Sequence, residues 1–398
     1  MQHLFSTIIH PAHFWRKIKM SELSELYMSM TLKSLALSLI AIFIPVFLYQ
    51  EGFSVAEISF YFAFYFMLRI LFNLLAGYLT ARAGPKHMLA YSYVLLTIFL
   101  GLLLTLPTYG WSLYFIAVVH SLFNAFFFVA YHVDFSKVHS VKKGGSEISI
   151  MNILVRTAAA TGPFVGGLVA TVFSIEATIA MALGLVLLAI WPLMLTAEPV
   201  KKQRELDLKS FSIRDNLNNM SAYSLLAISR QVALLSWPLY ISIFIFTDDV
   251  YAKVGLVTSV SIAVSILVTR AYGKLIDNDS GKTLLNSASV FASATHALRP
   301  VINSLGGVVL INMTSELAET GVLLPFTKGF YDEADSANNR IAYVSVMESA
   351  IAVTRASFWL VITWIIVTYG DKTGLAVSFY VASAAALLVM TQKFKALK

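Results

Sequence analysis

Two carboxylates, Glu316 and Glu319, stand three residues apart inside the apolar stretch "LGGVVLINMTSELAETGVLLPF". On a helix that spacing puts both on one face. Two carboxylates so close repel, and one of them holds a proton near neutral pH. That is the chemistry of reversible proton exchange. The alternative is that both acids are ion-paired to cations such as Lys33 or Arg230 and only stiffen the structure. A third acid, Glu348, lies seven residues before Arg355, again on one helical face. His120 and Asn124, four apart, share a face in the same way. Further cations stand inside apolar runs: Lys33, Arg69, Arg156, Arg230 (followed by Gln231) and Arg270. With Arg355 they are six against three acids. An arginine fork matches carboxylate or phosphate, and an excess of buried positive charge is relieved by an anionic ligand. Lys33 and Arg230 are therefore the leading ligand-binding candidates, with His120, Asn124, Gln231, Arg69 and Arg156 around them. A structural salt-bridge lattice serving an amphipathic or cationic ligand is the competing reading.

The elements that must hold these groups follow from composition. The chain has 398 residues, of which 58% are hydrophobic and 13% charged, with a mean hydropathy of +0.74. A soluble fold could not hide so much apolar surface. Apolar runs long enough to cross a bilayer recur near 26–49, 55–80, 87–106, 111–133, 147–172, 175–196, 219–246, 250–275, 283–298, 302–328, 341–369 and 374–392. Backbone polar groups in lipid must be satisfied internally, so the twelve spans are expected to be helices; the short alternating strands of a barrel are absent. The ninth span is the most polar. Cysteine is absent, which excludes disulfides, thiolate metal sites and cysteine nucleophiles.

The long polar connection from Glu198 to Asn216 cuts the chain into six spans plus six. The expected organisation is an interfacial N-terminal segment 1–23, a six-helix bundle 24–197, a linker 198–217, a second bundle 218–392 and a tail 393–398. The first segment does not read as a signal peptide; Phe14, Trp15, Arg16, Lys17 and Lys19 suit a headgroup layer. Twenty loop and terminal lysines and arginines fall on one side, whereas only Lys253, Arg299 and Lys372 fall on the other. This bias places both termini and the linker in the cytoplasm. The net charge of +7 thus reports topology and contact with membrane lipid, not a nucleic-acid partner.

Intramembrane charge costs about 2.5–3.5 kcal/mol per residue on insertion scales and marks function by default. Spans three, six and twelve carry none between their ends, and span nine carries only His296, read here as a satisfied interfacial histidine. Helices three, six, nine and twelve are expected to face lipid while the others enclose something polar. Lys33, Arg69, Asn124, Arg156, Arg230, Glu319 and Glu348 also share a depth, roughly 12–22 Å from the cytoplasmic helix ends at ~1.5 Å per residue.

The halves echo one another. "GYLTARAGPK" from Gly77 returns as "GKLIDNDSGK" from Gly273, 196 positions later; Pro45 matches Pro238 at 193, and "FSK" at Phe135 matches "FTK" at Phe326 at 191. A duplicated six-helix unit with its site at the midplane is a transporter architecture. Over nearly its whole length the chain resembles the major facilitator superfamily, whose loop between helices two and three carries a pattern close to G-x-x-x-D-x-x-G-R/K-R/K. Gly77, Gly84 and Lys86 fit, while Ala81 replaces the acid and Pro85 the first basic residue; the second copy keeps Gly273 and Asp277. "GPFVGG", from Gly162 and Pro163 onward, resembles a motif of the family's antiporter branches. The resemblance implies alternating access, with helices one, four, seven and ten lining the cavity. An aspartate near a helix end can latch one state, so Asp277 is the expected surviving latch, with Arg270 or Glu348 as partner and Arg355 in the same gating set.

No H-E-x-x-H, G-x-S-x-G, Walker loop or metal-spaced cluster is present, so no enzyme, cofactor or metal is expected. The expectation is an all-helical, proton-coupled secondary transporter of a small organic or phosphorylated anion. It is expected to be monomeric, in a prokaryotic cytoplasmic membrane. Efflux of amphipathic compounds by antiport, or lipid handling, are the alternatives.

Overall fold

A computed structural model describes residues 22–138, 144–193, 206–337, 339–395 and 397. The expected interfacial segment, with Phe14 to Lys19, and the loop cations Lys142, Lys143, Lys201, Lys202 and Arg204 lie outside the described residues. The described chain forms twelve helical rods, two of them interrupted. They are α1 (Glu22–Ile40 continuing as Ile44–Gln50), α2 (Val55–Ala83), α3 (Pro85–Leu104), α4 (Leu113–Val138), α5 (Gly144–Val172) and α6 (Ile175–Leu193). Then follow α7 (Ile213–Gln231, a π turn Val232–Ser236, and Trp237–Phe244), α8 (Val250–Asp277), α9 (Gly281–Leu298), α10 (Leu305–Ser336), α11 (Arg340–Tyr369) and α12 (Asp371–Leu388). Ten of these rods are long and apolar enough to cross a membrane, in keeping with the twelve-span expectation; α5 and the polar α9 complete the set.

Local chemistry sets the ends. Ser54 accepts from the Glu57 amide while Glu57 accepts from the Ser54 amide at 2.8 Å, a reciprocal cap that starts α2. Gly84 at φ 91° stops α2, and Pro85 opens α3 at a position whose amide needs no partner. The cassette is thus a helix stop joined to a helix start. In the second copy the extra residue supplies the left-handed step: Asp279 takes φ 57° between α8 and α9, a conformation aspartate tolerates better than most side chains.

The interruptions of α1 and α7 fall at repeat-equivalent places. Pro45 and Pro238 each lack an amide donor and crowd the carbonyl four residues earlier. Those residues, Ala41 and Leu234, lie in the turn at 41–43 and in the π turn.

Helices α1–α6 pack chiefly on one another, as do α7–α12, and the halves meet along two long contacts, α2 with α11 and α5 with α8. Helices α3, α6, α9 and α12 pack principally within their own half. The segment after α12 turns back under the second half: Phe394 is buried against Phe326 and Gly329, and the Lys393 amide donates to Asn219 at 2.8 Å.

Candidate functional site

The charges of the midplane resolve into two groups. The first lies on the seam of α2 and α11. Arg69 Nη2 donates to Glu348 Oε2 at 2.9 Å, with the two side chains only 3% and 6% exposed. Tyr223 of α7 donates to the other carboxylate oxygen at 3.2 Å. The Arg69 guanidinium also lies 5.3 Å from the centre of the Phe128 ring on α4. Arg355, one face down from Glu348, sits over Phe66 at 5.2 Å and donates Nε–H to the Ala227 carbonyl at 3.4 Å. Glu348 is therefore committed to a cation of the opposite half. The latch expected between Asp277 and Glu348 or Arg270 does not form. Asp277 and Arg270 are both exposed on the C-terminal stretch of α8, and among the described residues no ion pair joins them. The reason is distance along the bundle: Glu348 packs against α2, not α8.

On α4, His120 is boxed by aromatic rings. Tyr61 Oη lies 2.7 Å from its Nδ1, and the Phe99 and Tyr65 ring centres lie 4.2 and 4.4 Å away. Asn124 spends its amide on the His120 carbonyl at 3.1 Å. These two expected ligand groups thus work inside the first half. Lys33 of α1 is half-buried with Nζ 3.4 Å from the centre of the Phe127 ring; among the described residues no carboxylate pairs with it.

The second group is in the other half. Glu316 and Glu319 share a face of α10, as their spacing required. Arg230 Nε lies 4.0 Å from Glu319 Oε2, yet the arginine side chain is 48% exposed. Glu319 Oε1 is buried without a hydrogen-bond partner. Arg156, from α5 of the opposite half, donates to Thr269 of α8 at 3.3 Å. Gln231 is half-buried beside the π turn. The arrangement can hold a proton on one carboxylate and offer Arg230 to an anion in exchange for Glu319.

Arg299, expected among the outer loop cations at a turn, is in a turn but buried, at 1% exposed. It lies in a short 3-10 turn after α9, over Trp237 at 5.4 Å, and bonds His296 and Ser315. His296 is satisfied, as expected, but buried in the second half. The signal in the sequence was the i, i+3 spacing of His296 and Arg299, which turns both toward one face; the following Pro300 hid it by marking a loop. A second unanticipated contact joins the halves near the C-terminal ends of α4 and α10, where His132 Nδ1 lies 2.8 Å from Tyr331 Oη.

The expected gating glycines divide by environment. An added Cβ at Gly77 would strike Ser345 of α11, whereas at Gly273 it would meet open space. Gly84 works as the helix stop, and Lys86 is buried at the start of α3. Gly162, Gly166 and Gly167, with Pro163, form the crossing of α5 with α1 and α8: a Cβ would collide with Ser38, the Leu39 carbonyl and the Tyr251 carbonyl, respectively. Gly255 of α8 faces the Pro163 carbonyl just as closely.

Known proteins share these features. A sequence profile described as Major Facilitator Superfamily matches residues 26–330. Two relatives, both described as multi-drug resistance efflux pump PmrA, come from Streptococcus pneumoniae serotype 4 (strain ATCC BAA-334 / TIGR4) and Streptococcus pneumoniae (strain ATCC BAA-255 / R6). Each is 28% identical over 183 residues, 44% of this chain and 45% of theirs, so the chain matches less than half the length of these curated relatives. Among solved structures, the nucleoside transporter NupG superposes with a TM-score of 0.66 over 93% of this chain and 98% of its own. A mutant of NupG gives 0.71 over 92% and 98%. Both are 12% identical, so the likeness is one of fold. With its profile match over residues 26–330 and its NupG-like fold, the chain belongs to the Major Facilitator Superfamily and is a multi-pass membrane protein.

Proposed function

We propose that this protein couples the movement of a small organic or phosphorylated anion to protons. Glu319, with Glu316, carries the proton, and Arg230 receives the anion, with Lys33 and Arg156 as further cations of the site. The observation that carries the reading is the state of Arg230: it lies at the edge of ion-pair distance from Glu319 while nearly half its side chain is open. A proton on Glu319 releases the guanidinium, and an anion then takes the vacated contact. Proton and anion favour each other's binding, so the two travel together. The bias of basic loop residues supports a cytoplasmic placement of both ends in a prokaryotic cytoplasmic membrane. The His132–Tyr331 contact then closes the cytoplasmic side.

A second reading, export of amphipathic compounds in exchange for protons, is favoured by the partial likeness to PmrA and by the glycine-packed "GPFVGG" crossing. In it, ionised Glu319 would receive a cationic or polar group, and proton and solute would exclude one another. The sign of the coupling separates the readings. A thermal-shift screen against anionic, cationic and neutral panels identifies the ligand class; anions should stabilise the wild type and not Arg230→Gln. In proteoliposomes loaded with the best hit, Glu319→Gln should abolish pH-gradient-driven accumulation while leaving solute exchange. Normal accumulation by both Glu316→Gln and Glu319→Gln would make the carboxylates structural.

A further inference from the structure

The buried Arg299 needs an account that the ion pairs do not give. Among the described residues no carboxylate comes within ion-pair distance of it. Uncompensated burial of a cation costs several kcal/mol, and two hydrogen bonds to neutral groups do not return that much. Its partners are specific. A guanidinium can only donate, so the 2.7 Å contact from Arg299 Nη1 makes His296 Nδ1 an acceptor. The neutral ring then carries its hydrogen on Nε2 and donates to Ser229 Oγ at 2.9 Å. The other arm, Nη2, donates to Ser315 Oγ at 3.0 Å. The faces of Trp237 on α7 and Phe379 on α12 close the remaining sides, at 5.4 and 6.0 Å. A further bond ties the same two site-bearing helices: Trp237 Nε1 donates to Asn312 Oδ1 at 2.5 Å, α7 to α10.

Ser229 immediately precedes Arg230, and Ser315 immediately precedes Glu316. One cation therefore reaches, through a serine on each side, the helical turns that carry the cation and the carboxylates of the site. Ser315, which Arg299 bonds, is the direct neighbour of Glu316 and lies four residues before Glu319 on the same helix. Arg230 faces these acids from α7 and Arg156 from α5.

We infer that Arg299 is a positioning residue: with His296 it fixes the spacing of Arg230 against Glu316 and Glu319, and it supplies the standing positive charge against which those carboxylates exchange their proton. This rests on the reading of Arg230, Glu316 and Glu319 as the coupling site. The π turn that follows Gln231 puts Trp237 under Arg299 while Ser229 stays within reach of His296.

The test needs no transported solute. Dicyclohexylcarbodiimide attacks protonated carboxyls in apolar surroundings, and peptide mass spectrometry of the purified protein reads labelling of Glu316 and Glu319 along a pH series. Removing a fixed neighbouring cation disfavours the carboxylate form. Arg299→Gln should therefore carry the labelling midpoint upward by about one pH unit. Arg299→Lys keeps a charge but cannot span His296 and Ser315 together, so it should give a smaller shift in the same direction. It also decides the matter if Arg299→Gln does not fold. A titrating wild type with an unmoved midpoint in both variants overturns the role of Arg299 and leaves the coupling site standing. A wild type whose labelling does not change with pH overturns the coupling site, and the inference with it.

Discussion

The two seams that join the halves are built from different materials. Along α2 and α11 the contact is polar: Arg69 pairs with Glu348, and Ser349 donates to the Ile70 carbonyl at 3.1 Å. Along α5 and α8 the contact is made by backbones brought together by glycine: Gly167 against Tyr251, Gly255 against Pro163, with Arg156–Thr269 as a side-chain bond further along the seam. Membrane helices gain little from burying apolar surface against one another, so close packing and interhelical polar contacts hold them. The comparison shows both devices used in one molecule. The polar seam can be switched by protonation or by exchange of partners. The glycine seam responds only to shape, which suits a pivot.

Breaking the polar seam should have the largest effect. Arg69→Ala leaves Glu348 buried with Tyr223 as its hydrogen-bond donor, and losing one partner of a buried pair costs about 3–5 kcal/mol. An SDS-unfolding titration of the micellar protein would show it, and the double variant Arg69→Met with Glu348→Gln should recover most of the loss. If Arg69→Ala unfolds like the wild type, the seam is not held by charge. The glycine seam should come next. Gly167→Ala drives a methyl into the Tyr251 carbonyl, which cannot swing away as a side chain would; overpacking of this kind costs about 1–3 kcal/mol. The same titration reads it, and a neutral outcome would show that α5 and α8 are free to separate. The smallest effect sharpens the contrast: Gly273→Ala, on the open C-terminal stretch of α8, should stay within about 0.5 kcal/mol of wild type. A large loss there would mean that this stretch is packed in another state of the transporter.

The repeat was legible in the sequence, and the cassettes show how far that legibility reached. Gly84–Pro85 and Asp279–Gly281 both end one helix and start the next, because termination is a matter of local dihedrals and missing amides. The roles of the leading glycines were not legible. Gly77 touches α11 and Gly273 touches nothing, since that depends on which helix of the other half lies alongside. Glu316 and Glu319 could be placed on one face because three residues fix an angle on a helix. The partner of Glu348 could not be chosen among several cations: Arg69 is 279 positions away, and no periodicity links them. Arg299 was misplaced for a related reason. A turn signal says where a helix stops, not whether the next side chain points to water or back into the bundle.

The sequence by itself determined that this chain forms helices long and apolar enough to cross a membrane, and which charged residues lie inside them. Those properties follow from apolar run length, backbone chemistry and residue order, all of which act locally. Only the tertiary structure decided which charge answers which. It gave Arg69 to Glu348, left Arg230 half open beside Glu319, and put Arg299 behind both serines of the site. An ion pair is a contact of a few ångströms across helices hundreds of residues apart, and its partners are set by how the rods pack.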